Sequence, residues 1–348
     1  MMTNTPRELG YRMPAEWEPH EATWLAWPHK EASWPGLFEQ IPPIWIEMIR
    51  ILHTDEMVHL CVNDAKAFTA VQNQLWEAGL ERNIHMHQIP TNDAWMRDYG
   101  PLFVVTEQSI HPPLVALDWV FNSWGEKYGP WDLDDEMPQH ACTFLGLPCH
   151  EPGIVLEGGS IDVNGRGALL TTEQCLLNKN RNSHLSKVQI ETYLSDYLGV
   201  SKILWLGEGI VGDDTDGHVD DIARFVSADT VVAAVEQDPA DENYKILQDN
   251  LKRLQHMKDQ DGRLLNVVFL PMPGPVLIED QRLPASYLNF YIANSVVLVP
   301  IFDDPQDTHA LEILQRLFPD RRVVGLQARQ LVWGLGAFHC VTQQQPRV

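Results

Sequence analysis

"SIDVNGRGALLTTEQCLLNKNRNSHLSKVQIETYLSDYLGVSKILWLG", from Ser160 to Gly207, decides how this chain folds. Its first part reads as a hairpin turning at Asn164-Gly165, a pair that accepts the positive φ of a tight turn. The stretch "HLSKVQIETYLSDYL" then reads as a helix and "KILWLG" as a strand. The same order recurs downstream. "DDIARFVSADTVVAAV", "ENYKILQDNLKRLQHM" and "LNVVFLP" make a second hairpin, helix and strand, and "YLNFYIANSVVLVP", "HALEILQRLF" and "RRVVGL" a third. In that last helix Leu311, Leu314 and Phe318 fall on one face.

The three units repeat at about 60–70 residues, long for a solenoid and suited to a propeller-like array. Toward the N-terminus the pattern loosens. "TWLAW", "IPPIWIEMIRIL" and "MVHLCV" group as one unit; "LFVV", "LVALDW", the helix near "ACTFLG" and "GIVLEG" group as another. That makes about five modules, whose junctions would converge on a central axis. An ordinary α/β sheet with coincident spacing has the same element order.

The 348 residues carry 48 Asp and Glu against 25 Lys and Arg, a net charge of −23. Such a field disfavours nucleic acid and anionic membrane as partners and suits a small cation. Solubility alone is the plainer reading of the same number. Five cysteines, an odd count without CxxC spacing, point away from a disulfide framework or zinc site and toward a reducing compartment. No apolar signal core or bilayer-length run is evident, so a cytoplasmic location is expected.

Four stretches carry chemistry. "GLGAFHCVTQQQP" places Cys340 after a glycine-rich turn; "NDAWMRDYGP" holds Trp95, Arg97 and Asp98; "LEGGS" holds Glu157; "GDDTDGHVDD" holds His218 and Asp220. If the last segment is extended, His218 and Asp220 share one side of a strand. Each has a structural reading too: an Asp98–Arg97 ion pair, a turn at Glu157, a solvated acidic loop, an inert thiol at Cys340. A calcium loop fails, because Gly212 stands at the first ligand position and Ala223 at the bidentate one.

Together the stretches suit attack on a guanidinium, which is planar, always charged and donates through a fork of N–H groups. Asp98 and Asp220 would grip that fork. The bound cation would favour thiolate at Cys340. His218 would protonate departing ammonia and then activate water, with Glu157 orienting it or keeping it protonated. No metal or other cofactor is needed. A metal hydrolase on Asp213, Asp214, His218 and Asp220 is the competing chemistry.

"NDAWMRD", "DWVFNSWG", "LEGGSIDVNG", "GDDTDGHVDDIARF", "ASYLNFYIAN" and "FHCVTQQQP" resemble, in order and over nearly the whole chain, the agmatine deiminase family. That family is a branch of the guanidine-modifying enzymes that includes bacterial-type peptidylarginine deiminases. The resemblance implies an α/β fold, a five-bladed pseudo-symmetric ββαβ propeller (the pentein fold), as a single catalytic domain over 1–348 with its active site on the central axis. It implies cofactor-free hydrolysis of agmatine to N-carbamoylputrescine and ammonia, a step toward putrescine. Carried over by motif, Cys340 is the nucleophile forming an amidino intermediate, His218 the acid and base, Asp98 and Asp220 the guanidinium clamp, and Glu157 the support of the histidine. A homodimer is expected by the same analogy. Arginine or peptidyl-arginine is the alternative substrate, its carboxylate met by an arginine such as Arg224 or Arg329. A guanidinium-binding protein without turnover is the alternative of another class. For the distal ammonium of agmatine the candidates are Asp213 and Asp216, and Trp95 is a candidate to stack on the substrate. The loop before the cysteine departs from the family's usual Gly-Gly-Gly-Asn-Ile-His-Cys: Leu335 stands for a glycine and Ala337-Phe338 for Asn-Ile. That departure bears on which guanidine is taken.

Overall fold

The computed structural model describes residues 4–278 and 280–348. Its strands gather into five mixed sheets of three or four strands, plus a short ribbon of Leu277–Ile278 and Gln281–Arg282. One connection recurs. In the sheet of Asp162–Val163, Ala168–Thr172 and Lys202–Leu206, the first strand runs antiparallel to the second and the third parallel to it. Parallel neighbours need a crossover, and the helix Lys187–Leu198 supplies it.

That helix begins three residues later than "HLS" suggests, because Ser186 caps it. The Ser186 hydroxyl accepts from the Gln189 amide while the Gln189 side chain reaches back to the Ser186 amide, satisfying two otherwise orphaned donors. Gly199, at φ 68°, ends it in the left-handed turn that glycine adopts without penalty. Ile190, Leu194 and Leu198 lie on its inner face.

The sheets of Ala223–Phe225, Thr230–Val235 and Asn266–Pro271, and of Tyr291–Ile292, Val296–Ile301 and Arg322–Gln327, repeat the same pairing. Their crossover helices are Asn243–His256 and Asp307–Leu317. On the latter helix and just past it, Leu314 and Phe318 are buried and Leu311 half-buried. In the second sheet Leu102–Val105 pairs antiparallel with Leu114–Leu117, which pairs parallel with Cys149–His150. "GIVLEG" is therefore not the third strand; Val155 makes only an isolated bridge to Val120.

The first sheet is assembled from both ends of the chain. His20–Ala26 runs parallel to Met57–Val62, which runs parallel to Ile84–Gln88, while Gln343–Pro346 pairs antiparallel with His20–Ala26. Helix Ile41–Leu52 crosses between the first two and buries Ile41, Trp45, Met48, Ile49 and Leu52, each worth about 1.5–3 kcal/mol against exposure. The C-terminal strand thus holds Cys340 in place by a sheet the N-terminus begins.

Candidate active site

The chemistry-bearing residues lie in the segments that lead into each sheet's first strand. Asp98 precedes Leu102, Glu157 precedes Asp162, Asp220 precedes Ala223, Asn289 precedes Tyr291 and Cys340 precedes Gln343. None of these lead-ins is a strand. Met96–Tyr99 is a single helical turn, and Gly158–Ser160 and Val219–Asp221 are 3-10 turns. His218 and Asp220 therefore meet across a tight turn rather than along an extended strand.

Gly159 marks where the side chains meet. A Cβ there would lie 2.6 Å from His218 Nδ1, 2.7 Å from Asp98 Oδ1 and 3.0 Å from Asp220 Oδ2. Only glycine fits among them, and its amide donates to Asp98 Oδ1 at 3.0 Å. Asp98 Oδ2 accepts from the Trp124 indole at 2.9 Å. Cys340 Sγ is 3.8 Å from Asp220 Oδ2 and accepts from Asn289 Nδ2 at 3.0 Å. A cavity of about 300 Å³ opens outward from Cys340, Asp98, Trp95, Trp124 and Leu335.

Electrostatics set the resting protonation. Burial, then the charges of Asp220, Asp221 and Asp98, push the Cys340 thiol well above its ordinary value. Burial would discharge His218, but Asp98, Cys175 and Asp220 outweigh it and hold the imidazole well above its ordinary value. His218 Nδ1 is 3.6 Å from Asp98 Oδ1. Burial, aided by Asp220 and Glu157 and opposed by His218 and Trp124, raises Asp98 to about 6. Burial also works against the Asp220 charge, yet His339, His218 and Arg224 bring its carboxyl below the usual range. The resting site holds a neutral thiol, a charged imidazole and a surplus of carboxyl groups, a combination that a guanidinium relieves.

Glu157 sits deeper. Arg181 donates to its Oε1 at 2.5 Å, and one of its oxygens lies within 4.8 Å of His218 and Cys175. The groups that chiefly hold the imidazole charged are Asp98, Cys175 and Asp220. Trp95 lines the cavity while packing on Trp34 at 5.4 Å between ring centres.

Asp213 and Asp216 stand away from the cavity wall. Asp213 turns inward to accept from the amides of Thr215, Gly217 and His218. Asp216 is taken by Arg181 at 2.8 Å and Lys127 at 3.0 Å. Their neighbour Asp214 lines the cavity with Asp93 and Tyr128. Asp213 is used by the loop's own backbone and Asp216 by neighbouring side chains, which leaves Asp214 to face outward. Arg224 and Arg329 do not line the cavity. Arg224 is fully buried between Asp162 and Glu16, and Arg329 bonds the Phe302 carbonyl.

Several partners were not legible as such. Asn289 Oδ1 accepts from the amides of Ala337, His339 and Cys340, and its Nδ2 also reaches Asp221. His339 bridges Asp220 at 2.7 Å and Glu16 at 2.8 Å. Glu16 in turn faces Arg224 at 2.8 Å and Arg97 at 3.5 Å. Arg97 therefore serves Glu16, not Asp98. The signal for Asn289 was its place in the lead-in of a repeated unit. Nothing local marks Glu16 or Arg181.

Comparison with known proteins gives a consistent family. The model of Porphyromonas-type peptidyl-arginine deiminase matches residues 12–346. The agmatine deiminase of Pseudomonas aeruginosa (strain UCBPP-PA14) is 39% identical, over 99% of this chain and 98% of that protein. Among solved structures, the agmatine deiminase of Enterococcus faecalis superposes with a TM-score of 0.92 at 36% identity, covering 100% of this chain and 99% of that one. A Cys-to-Ser variant of C. Jejuni agmatine deiminase with substrate bound gives 0.87 at 32% identity, covering 97% and 96%.

Proposed function

The chain belongs to the family of Porphyromonas-type peptidyl-arginine deiminases, and from that premise we propose that it hydrolyses agmatine to N-carbamoylputrescine and ammonia. The observation that carries this reading is the meeting of His218, Asp98 and Asp220 at Gly159, with Cys340 Sγ 3.8 Å from Asp220 Oδ2 and both Cys340 and Asp98 on the cavity wall. We also infer that the five sheets stand as blades about one axis, since every site residue sits at the same point of a repeated unit.

Asp98 and Asp220 hold the guanidinium by its N–H fork. Its charge lowers the Cys340 thiol, which gives its proton to solvent through the cavity, and the thiolate sulfur bonds to the guanidinium carbon. The tetrahedral adduct collapses by breaking one C–N bond, and His218 gives its proton to the departing ammonia. The sulfur-bound amidino carbon is then attacked by water, which His218 deprotonates. Collapse breaks the C–S bond, releases the carbamoyl product and returns the sulfur. Glu157, fixed by Arg181, keeps the imidazole charged and oriented.

The cavity wall favours agmatine over arginine. Asp214 suits a distal ammonium. Lys30 also lines the wall, but it is 3.4 Å from Asp93 and so already paired. An α-carboxylate would meet this acidic surface at a cost.

Agmatine, arginine and an arginyl peptide supplied in parallel, with ammonia measured, test the reading. Agmatine is turned over and a mass adduct appears on the peptide containing Cys340; Cys340→Ser releases no ammonia. Turnover of arginine but not agmatine would overturn the substrate, and full activity in Cys340→Ser the covalent route.

A further inference from the structure

We propose that His59, His85 and His87 form a binding site for one divalent transition cation of borderline softness, with zinc the probe, on a face of the N-terminal sheet.

His59 lies on Met57–Val62 and the other two on Ile84–Gln88, its parallel neighbour. His59 is paired in register with His85. Residues two apart on a strand share a face, so His87 joins them. One ligand atom from each of the three imidazoles lies within 4.8 Å of the others. His59 Nδ1 and His87 Nε2 are 2.8 Å apart. A tetrahedral zinc with bonds of about 2.0–2.1 Å wants nitrogens about 3.4 Å apart. Small side-chain rotations open that pair and bring His85 in.

The surroundings favour a ligand set over plain packing. The Trp24 ring lies against His59 and His87, at 4.3 and 5.2 Å between centres. Phe144 sets its edge against all three imidazoles, at 4.2 to 5.7 Å. This aromatic frame limits ring motion, so little orientation is lost on binding. His59 and His87 are buried whereas His85 is exposed, which leaves a solvent side for a fourth, water ligand. Three imidazoles without carboxylate select zinc, nickel or copper over magnesium and calcium. The net charge of −23 concentrates cations near the surface. A bound ion would cross-link the outermost strand of the sheet to its neighbour.

A second group able to hold zinc, Glu157, Cys175 and His218, belongs to the catalytic centre, so the test separates the two. Untagged, metal-stripped full chain is titrated with zinc chloride by calorimetry, and its retained metal and thermal midpoint are measured. The wild type takes up one zinc at this site and its midpoint rises. His85→Ala and His87→Gln weaken that binding at least about tenfold and abolish the rise, while His218→Ala keeps both. Exposed His85 leaves the fold intact when changed, so that variant decides if His87→Gln fails to fold. No saturable zinc binding below about 100 μM, unchanged affinity in His85→Ala, or loss confined to His218→Ala would each overturn the proposal.

Discussion

Asn289 and Cys340 are tied twice: the Asn289 amide nitrogen donates to the Cys340 sulfur at 3.0 Å, and its oxygen accepts from the Cys340 backbone amide at 3.3 Å. The same oxygen takes the amides of Ala337 and His339. One side chain thus shapes the loop and supports negative charge on the sulfur. Burial and three carboxylates work the other way.

Asn289→Ala should therefore act on chemistry and fold together. Misplacement of the nucleophile is expected to lower kcat about 100-fold. Iodoacetamide should label Cys340 more slowly. Unpartnered buried amides should cost about 1–3 kcal/mol in denaturant unfolding. Full kcat with ordinary labelling would show that the loop holds its shape without Asn289.

Asp98 predicts the pH dependence. With its carboxyl raised to about 6 by burial and neighbouring carboxylates, it carries a proton in the free enzyme below that pH. The proton must leave before the guanidinium can be gripped, so kcat/KM for agmatine should fall more steeply below pH 6 than above it, by about a further tenfold per unit. In the complex the cation pulls Asp98 down, and kcat should keep its value to lower pH. A kcat/KM profile flat to pH 5 contradicts this assignment.

Asp214 faces the cavity, held by Lys127 at 3.3 Å and by Tyr128. Its contribution to a distal ammonium at a half-exposed site is about 1 kcal/mol. Asp214→Asn is expected to raise KM for agmatine about fivefold and to leave butylguanidine, which lacks the ammonium, unaffected. Equal changes for both compounds would assign the effect to the loop instead.

Leu335 has φ 71° and ψ 21°, a left-handed backbone in a side chain that lines the cavity. That conformation stores about 1–3 kcal/mol. Leu335→Gly relieves it and loses about 0.5–1 kcal/mol through the freer unfolded chain, so stability should shift little. Leu335→Val puts a β-branched side chain where it is least tolerated and should lower the denaturation midpoint. Loss of the leucine wall in the glycine variant should also lower KM for bulkier guanidines. If valine is tolerated as well as glycine, the turn is not strained.

Much of the architecture could be read from local pattern. The hairpins at Asn164-Gly165 and around Ser227–Asp229, the helix capped at Ser186 and the buried face of 307–317 follow from turn chemistry and period. "GIVLEG" misled because its apolar residues pack in the second core cluster without a strand partner beyond one bridge. Strand alternation places His218 and Asp220 together, but the chain brings them together by a 3-10 turn instead.

Residue type and spacing along the chain show which groups are on offer for chemistry: a thiol, an imidazole and carboxylates, each in a glycine- or aspartate-rich lead-in before a strand. Their partners are set by packing in three dimensions. Asp98 lies against His218 while Arg97 serves Glu16, and Asp214 rather than Asp213 or Asp216 meets the cavity. Backbone period and turn preference are set within a few residues. Charge pairing in a buried site depends on distance through space, and Glu16 and His339 are 323 residues apart along the chain yet 2.8 Å apart in the fold.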